Sequence, residues 1–258
     1  DQAPIVLSTA RPESWRRPSA QKQSVRSGSE TFSSRQTASC ALRVRRCISG
    51  PVITDATDKL IRLALAEDIG TGDRTTLATI PEGTLCAARV VAKEPLVMAG
   101  GAFFARVFAQ VDAAVVVQQQ VADGEAVEAG TAVLRIEGAA RSVLTAERTA
   151  LNILQRLAGV ATLTRRFVDA VAGTEAKITD TRKTTPGMRA MQKHAVVAGG
   201  GSNHRFGLDS GILIKENHIA ACGSIHAAVA RARAASPHSL RVEVEVTNLE
   251  ELDEALEA

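Results

Sequence analysis

The feature that most constrains this chain is a repeated order of strand, loop and helix after Gly173. The segments AKITDT, GILIKENH and RVEVEV have apolar strand centres, and a segment with helical character follows each of them. Parallel strands joined by crossover helices produce this alternation, because helices cover both faces of the sheet. Residues 177–258 hold only three such units, whereas a (β/α) barrel typically takes about 200 residues or more. We therefore predict an incomplete α/β barrel over residues 161–258, cut short at the C-terminus.

Residues 51–160 show a different pattern, in which short β-rich runs alternate with turns and helices. Thr54 or Asp55 can cap a first helix, and Gly70 can end it. The runs ARVVAK, VVVQQQV and TAVLRIEG follow, and turn signals that contain glycine separate them. This part of the sequence predicts an N-terminal α/β sandwich domain.

Residues 1–50 are rich in Ser and Arg, poor in acids and without hydrophobic periodicity. Such a composition is typical of a disordered segment, so we predict a disordered extension. It is either an extension without a function or a presequence for organelle targeting. The formal net charge of +3 comes from this segment, because residues 51–258 carry a slight excess of acids. The folded part is therefore slightly acidic, and the chain contains no Tyr. Both features argue against a nucleic-acid-binding protein.

The cysteines and the hydropathy pattern bear on location. The four cysteines are scattered, with no CxxC pair and no histidine at zinc-ligand spacing, which indicates reduced intracellular thiols. No apolar run approaches the roughly 18 residues that a membrane-spanning helix requires. We predict no transmembrane segment and a cytoplasmic location, with organelle targeting through residues 1–50 as the alternative.

The predicted strand ends in residues 177–258 are mostly cationic. In parallel α/β folds, reactive groups gather at the carboxyl ends of the strands. Guanidinium groups bind carboxylate and phosphate oxygens through paired hydrogen bonds, while a lysine acts as a point charge. The pattern predicts a site for a small polyanion, although Arg182 and Lys183 taken alone could be ordinary loop charges. The candidate residues at these strand ends are Thr181, Arg182, Lys183, His204, Arg205, Lys215, Glu243 and Glu245.

Lys215 follows an apolar strand, where an unpaired ammonium group would be costly, so we predict an anionic partner for it. Glu243 and Glu245 alternate with valines and should point the same way. Either carboxylate could pair with Lys215 or bind Mg²⁺. His204 taken alone fits a structural role better than a catalytic one, and the glycines at 199–201 could equally end a helix or hold a phosphate.

A long helix is predicted from Thr145, with Leu151 and Leu154 on its apolar face. Its residues Arg148 and Asn152 share a different, polar face with Gln155. This polar face is either solvated surface or the place of a site or interface in which Arg148 takes part.

Five segments in this order resemble the quinolinate phosphoribosyltransferases: EDIGTGDRTT, AERTALNILQRLAGVAT, TDTRKTTPGMRAMQKHAV, GGGSNHRFGLDSGILIKENHI and RVEVEVTNLEEL. The resemblance implies an α/β sandwich followed by an incomplete barrel, assembled as a homodimer or larger. It also implies the family's reaction, in which quinolinate and phosphoribosyl pyrophosphate give nicotinate mononucleotide, pyrophosphate and CO₂ on the route to NAD.

The resemblance also assigns roles to residues. Arg148 would reach the active site of a neighbouring subunit, and Mg²⁺ would enter with phosphoribosyl pyrophosphate, with Glu245 acting on it indirectly. The residues implied as catalytic are Lys183, Lys215 and Glu245. The residues implied as substrate-binding are Arg148, Thr181, Arg182, Lys183, His204, Arg205, Lys215 and Glu245.

Other interpretations stay open at this point. Family members continue for several more strands, so we expect the 258-residue chain to be a fragment without full activity. It could also be a paralogue with another acceptor, or a remnant that dimerises without catalysis. A lysine at a strand end can also form a Schiff base, which would make Lys215 an aldolase-type nucleophile.

Overall fold

The computed structural model describes residues 5–10 and 53–258. The strands are β1 (Ile5–Ala10), β2 (Leu85–Ala92), β3 (Leu96–Val97), β4 (Val116–Gln119), β5 (Ala126–Val127), β6 (Ala132–Ala139), β7 (Ile212–Ile214) and β8 (Val242–Val244). The helices are α1 (Asp55–Ile69), α2 (Arg74–Thr79), α3 (Gly101–Val111), α4 (Ala140–Ala170), α5 (Arg189–Ala198), α6 (Glu216–Cys222), α7 (Ile225–Ala235) and α8 (Leu249–Glu257).

A four-stranded antiparallel sheet forms the first part of the molecule. Its strand order is β1-β2-β6-β4, and β3 pairs with β5 in a separate two-stranded sheet. Helices α3 and α4 pack on each other and cover these strands. The apolar side chains between the helices and the sheet are fully buried, among them Phe103, Phe104, Phe108, Leu134 and Leu154. This layer is the main hydrophobic core.

Strand β1 corrects the prediction that residues 1–50 are disordered throughout. The strand pairs antiparallel with β2, and Ile5, opposite Ala92, is only 2% exposed. Its sequence IVLSTA is rich in aliphatic and β-branched residues, which favour strands. The Ser- and Arg-rich composition of the longer segment obscured this short signal. The rest of the predicted extension lies outside the described residues.

The helix termini follow local sequence signals. The Thr54 hydroxyl accepts a hydrogen bond from the Thr57 backbone N–H at 3.2 Å, so Thr54 is the cap of α1. Gly70 ends that helix with a positive φ of 54°, which glycine adopts without strain. Asp73 caps α2 in the same way, accepting from Thr76 N–H at 2.9 Å.

Helix α4 is 31 residues long and connects the two parts of the molecule. Its apolar face is buried as predicted, with Leu151, Leu154 and Ala158 against the sheet side. Helix α5 packs on α4, so the later part of the chain is attached to the sandwich through this helix. The predicted domain boundary between residues 160 and 161 falls inside α4, and it stays a prediction.

The second part is built from parallel pairings. Strands β7 and β8 pair in parallel, with Ile212 opposite Val242, as the alternating β/α pattern predicts. The first predicted strand, AKITDT, forms only a parallel bridge between Thr179 and Ser202. Its exposed polar side chains bury too little apolar surface to extend the pairing. A small apolar cluster packs β7 against α7, with Ile214, Ile225, Ala228 and Val229 buried.

Within the described residues, no helix combines the length and the apolar character needed to cross a membrane.

Candidate active site

Lys215 and Glu245 meet at the carboxyl ends of the parallel strands β7 and β8. Lys215 Nζ lies 2.7 Å from Glu245 Oε2, and the side chains are 45% and 57% exposed. The backbone N–H of Glu245 donates to the Ile214 carbonyl at 2.9 Å, which continues the strand pairing up to this point. The hydrogen bond from Lys215 lowers the pKa of Glu245 below its ordinary value. Lys215 therefore has the anionic partner that its sequence position predicted.

Lys183 belongs to the same group of charges. Its positive charge is close enough to lower the pKa of Glu245 further, after the larger contribution of Lys215. The Thr181 hydroxyl accepts a hydrogen bond from the Lys183 backbone N–H at 2.9 Å, which fixes the turn of the TDTRK segment. The structure thus brings together the residues that the family resemblance implies as catalytic.

The NHR segment places two more predicted residues at these strand ends. His204 Nε2 lies 3.0 Å from Glu243 Oε2, so Glu243 and Glu245 pair with different residues. Arg205 donates from Nη1 to the Gly211 carbonyl at 2.9 Å, which leaves its other N–H groups for a ligand.

Arg182 has an unsatisfied donor. Its Nε is buried and has no hydrogen-bond acceptor among the described residues. A buried donor without a partner is costly, so a ligand oxygen at this position would be favourable. The neighbouring Arg189 links the ends of the two predicted anion-binding segments, TDTRK and NHR, because it donates to the Thr184 hydroxyl and to the Phe206 carbonyl, each at 3.2 Å.

A buried ion pair lies beneath the site, and sequence reasoning missed it. Lys193 of α5 contacts the Asp180 carboxylate and donates to the His204 carbonyl at 3.0 Å. The side chains of Lys193 and Asp180 are only 3% and 6% exposed. Asp180 is not among the predicted site residues. Nothing in the periodicity of α5 marks Lys193, because the buried stripe through Met191 and Ala195 lies on another face of that helix.

Arg148 is the predicted site residue on helix α4. It is exposed on α4 and, among the described residues, makes no hydrogen bond with any other predicted site residue. Asn152 on the same polar face is exposed as well, while Gln155 has a buried side-chain oxygen without a donor in the described part of the chain. The predicted role of Arg148 in the active site of a neighbouring subunit therefore stays a prediction.

A resident metal site is not evident in the described segments, which hold no cluster of three or more His, Cys, Asp or Glu side chains that could bind an ion. Glu245, which was predicted to act on the metal indirectly, forms an ion pair with Lys215. Mg²⁺ bound to the substrate's own phosphates remains the prediction.

Comparisons with known proteins bear on this geometry. Residues 73–158 match the family model described as "Quinolinate phosphoribosyl transferase, N-terminal domain". Residues 160–258 match the corresponding C-terminal domain.

Two curated bacterial relatives are similar over most of the described chain. The nicotinate-nucleotide pyrophosphorylase (carboxylating) of Mycobacterium leprae is 49% identical over 215 residues, which is 78% of this chain and 72% of that protein. The probable enzyme of the same name from Bacillus subtilis is 46% identical over 200 residues, 78% of this chain and 69% of that protein.

The fold has a close match among solved structures. The crystal structure of NadC from Streptococcus pyogenes is similar with a TM-score of 0.73 at 45% identity, covering 77% of this chain and 70% of that one. The predicted α/β fold class is therefore confirmed. With both family domains matched in order, this chain belongs to the quinolinate phosphoribosyltransferase family.

Proposed function

We propose that this protein transfers the phosphoribosyl group of phosphoribosyl pyrophosphate to quinolinate and releases CO₂, giving nicotinate mononucleotide and pyrophosphate for NAD synthesis. The observation that carries the proposal is the pair of Lys215 and Glu245 at the ends of parallel strands in a chain of this family, with the charge of Lys183 near enough to act on Glu245. An enzyme that binds two polyanions needs such a concentration of cations.

Quinolinate is a dianion, and the cationic side chains of the TDTRK and NHR segments suit its two carboxylates. The buried Nε of Arg182 has no acceptor in the described part of the protein, and a carboxylate oxygen would satisfy it. Within the described residues, Arg205 makes one side-chain hydrogen bond, to the Gly211 carbonyl, so its other N–H groups can bind a ligand. Two guanidinium groups at fixed positions favour a ligand with two carboxylates over a ligand with one.

Lys183 and Lys215 suit the phosphate groups of the second substrate, and Glu245 suits its ribose. As the bond from C1 to pyrophosphate breaks, the sugar gains positive charge, which the ionised Glu245 can stabilise. The ring nitrogen of quinolinate then supplies the electron pair for the new bond to C1. Mg²⁺ bound to this substrate would offset the charge on the departing pyrophosphate.

Loss of CO₂ follows from the same bond. Once the ring nitrogen is alkylated, the positively charged ring accepts the electron pair left at C2 when the carboxylate departs. A proton from solvent then completes nicotinate mononucleotide. The protein's part in this step is to hold the ring in place, and no redox group is needed.

Assembly as a homodimer, or larger, is part of the proposal. Arg148 is exposed on α4 and makes no hydrogen bond with another candidate residue in the described part of the chain, which suits a role in the site of a second copy. A cytoplasmic location, with organelle targeting as the alternative, likewise remains a proposal, and a fluorescent fusion of the whole gene product would test it.

The function is tested by calorimetry and turnover with the protein expressed from its own gene. We expect quinolinate to bind, and Arg182→Met to raise its Kd about 10–100-fold, which corresponds to the loss of one charge-assisted hydrogen bond. The matched control Arg62→Met, an exposed arginine of α1, should leave the Kd unchanged.

The outcomes separate the competing interpretations. Binding of nicotinate in preference to quinolinate would indicate a paralogue with another acceptor. A dimer in sedimentation that binds neither substrate would indicate a non-catalytic remnant. Borohydride trapping of a carbonyl substrate on Lys215 would indicate the aldolase alternative, which the ion pair disfavours because a paired ammonium group is not a nucleophile.

A further inference from the structure

Lys193 occupies an unusual position for a lysine. Its side chain is 97% removed from solvent, since only 3% is exposed, and it lies on α5 directly below the TDTRK and NHR segments. Lysine is almost never fully buried unless it is paired. Here the ammonium group contacts the Asp180 carboxylate and donates to the His204 carbonyl at 3.0 Å.

Asp180 extends this contact to both anion-binding segments. Its Oδ1 also accepts a hydrogen bond from the His204 backbone N–H at 2.8 Å. Its own backbone N–H donates to the Ser202 carbonyl at 3.1 Å, and the Ser202 N–H donates to the Ile178 carbonyl at 2.8 Å. One buried ion pair therefore holds the backbone immediately before Thr181 and at His204.

The position of Lys193 is itself fixed from the sandwich. The next residue, His194, places Nε2 2.7 Å from Asp123 Oδ2, and its ring meets Phe103 edge-on with the centroids 5.7 Å apart. Asp123 also accepts from the backbone N–H of Gly100 at 2.8 Å. Adjacent residues of α5 thus bind the sandwich on one side and the anion-binding segments on the other.

We propose that Lys193 is a positioning residue, which sets the spacing between the TDTRK and NHR segments and so the preference for a dicarboxylate. This inference rests on the proposed function. Side chains from the two segments that bind one rigid ring must stay at a fixed distance from each other. A shift of about 1 Å can lower activity about 100-fold. Of the residues assigned to the sugar phosphate, only Lys183 lies in these segments, whereas Lys215 and Glu245 bind each other at the ends of β7 and β8, so binding of the sugar phosphate should depend less on Lys193.

The test compares substrate affinities in Lys193→Met, whose side chain has a similar length but no charge. We expect the quinolinate Kd to rise by about 100-fold, while the Kd for Mg²⁺-loaded phosphoribosyl pyrophosphate changes less than about 3-fold. The preference for quinolinate over nicotinate should also fall in Lys193→Met. Asp180→Asn is the second variant, with nearly the same shape, and we expect the same pattern from it.

The matched control is Arg106→Met in the sandwich. Arg106 binds Asp58 through two hydrogen bonds of 2.7 Å and lies on α3, outside the proposed site. This control shows whether the loss of any partly buried ion pair raises the quinolinate Kd. We expect Arg106→Met to lower the melting temperature and to leave the quinolinate Kd unchanged.

The results separate the two levels of the proposal. If the unsubstituted protein binds no quinolinate, the proposed function fails. If it binds quinolinate and both folded variants keep the same affinity and preference, the role of Lys193 is refuted. A parallel loss of affinity for both substrates, in proportion to the loss of folded protein, would likewise refute positioning and indicate a purely structural pair.

Discussion

The sandwich and the parallel β7–β8 region use charged residues in opposite ways. In the sandwich, Arg106 and Asp58 satisfy each other through two hydrogen bonds of 2.7 Å on a well-buried apolar core. At the ends of β7 and β8, Lys215 and Glu245 form a pair that remains about half exposed over a small apolar cluster. This difference indicates that the sandwich supplies most of the stability, while the β7–β8 region keeps its charged side chains accessible to a ligand.

The largest expected effect tests this division of stability. Phe104 is fully buried and packs against Phe108 with ring centroids 5.0 Å apart, so Phe104→Ala should cost about 3–5 kcal/mol of unfolding free energy. Ile225→Ala in the small cluster should cost about 2 kcal/mol, because its surroundings can collapse more easily. Urea unfolding followed by circular dichroism measures both, and equal losses would contradict the contrast.

A smaller effect tests the connection between the regions. Burial raises the pKa of Asp123, but hydrogen bonds from His194, Gly100 and Gly101 outweigh this, so the pKa lies below its ordinary value of 3.8. We expect Asp123→Asn to lower the unfolding free energy by about 2 kcal/mol at neutral pH, since it loses hydrogen bonds to a charged group. The control Asp55→Asn, in an exposed pair with Lys59, should cost under about 0.5 kcal/mol.

The pH dependence of that difference has a definite sign. A carboxyl group with a lowered pKa stabilises the fold above its unfolded pKa and loses this contribution as the pH falls through the folded value. The gap between the unsubstituted protein and Asp123→Asn should therefore close as the pH falls below 3.8. A gap that stays constant down to strong acid would show that the carboxylate charge is not what joins α5 to the sandwich.

The smallest expected effect concerns the exposed pair at the strand ends. Because the hydrogen bond from Lys215 is the main cause of the lowered pKa of Glu245, Lys215→Met should move that pKa upward toward its ordinary value. Lys183 should keep a small residual effect. Carbon-13 NMR of the labelled side-chain carboxyl measures the shift, and an unchanged titration would mean that the pair seen here does not persist in solution.

Much of the fold could be predicted from the sequence because its signals are local. The Thr54 cap, the stop at Gly70 and the apolar face of α4 depend on residues within a turn or two of each other. Strand β1 was missed, because its short run is surrounded by a Ser- and Arg-rich composition and its partner β2 lies far along the chain.

The candidate site could be predicted in part. The cationic motifs, and their place at the ends of parallel strands, followed from the β/α pattern. The sequence left open whether Glu243 or Glu245 would pair with Lys215, since both point the same way. The structure assigns Glu245 to Lys215 and Glu243 to His204, because Ile214 lies opposite Val244 and so places Lys215 beside Glu245.

The sequence by itself therefore determined the family, the class of fold and the residues that can bind anions, because motif order, period and charge are written along the chain. Only the tertiary structure decided how those residues are held. The Lys193–Asp180 pair joins positions 13 apart, and the His194–Asp123 pair joins positions 71 apart. Burial selects such pairs, since a charge removed from water must find its partner wherever the fold places one.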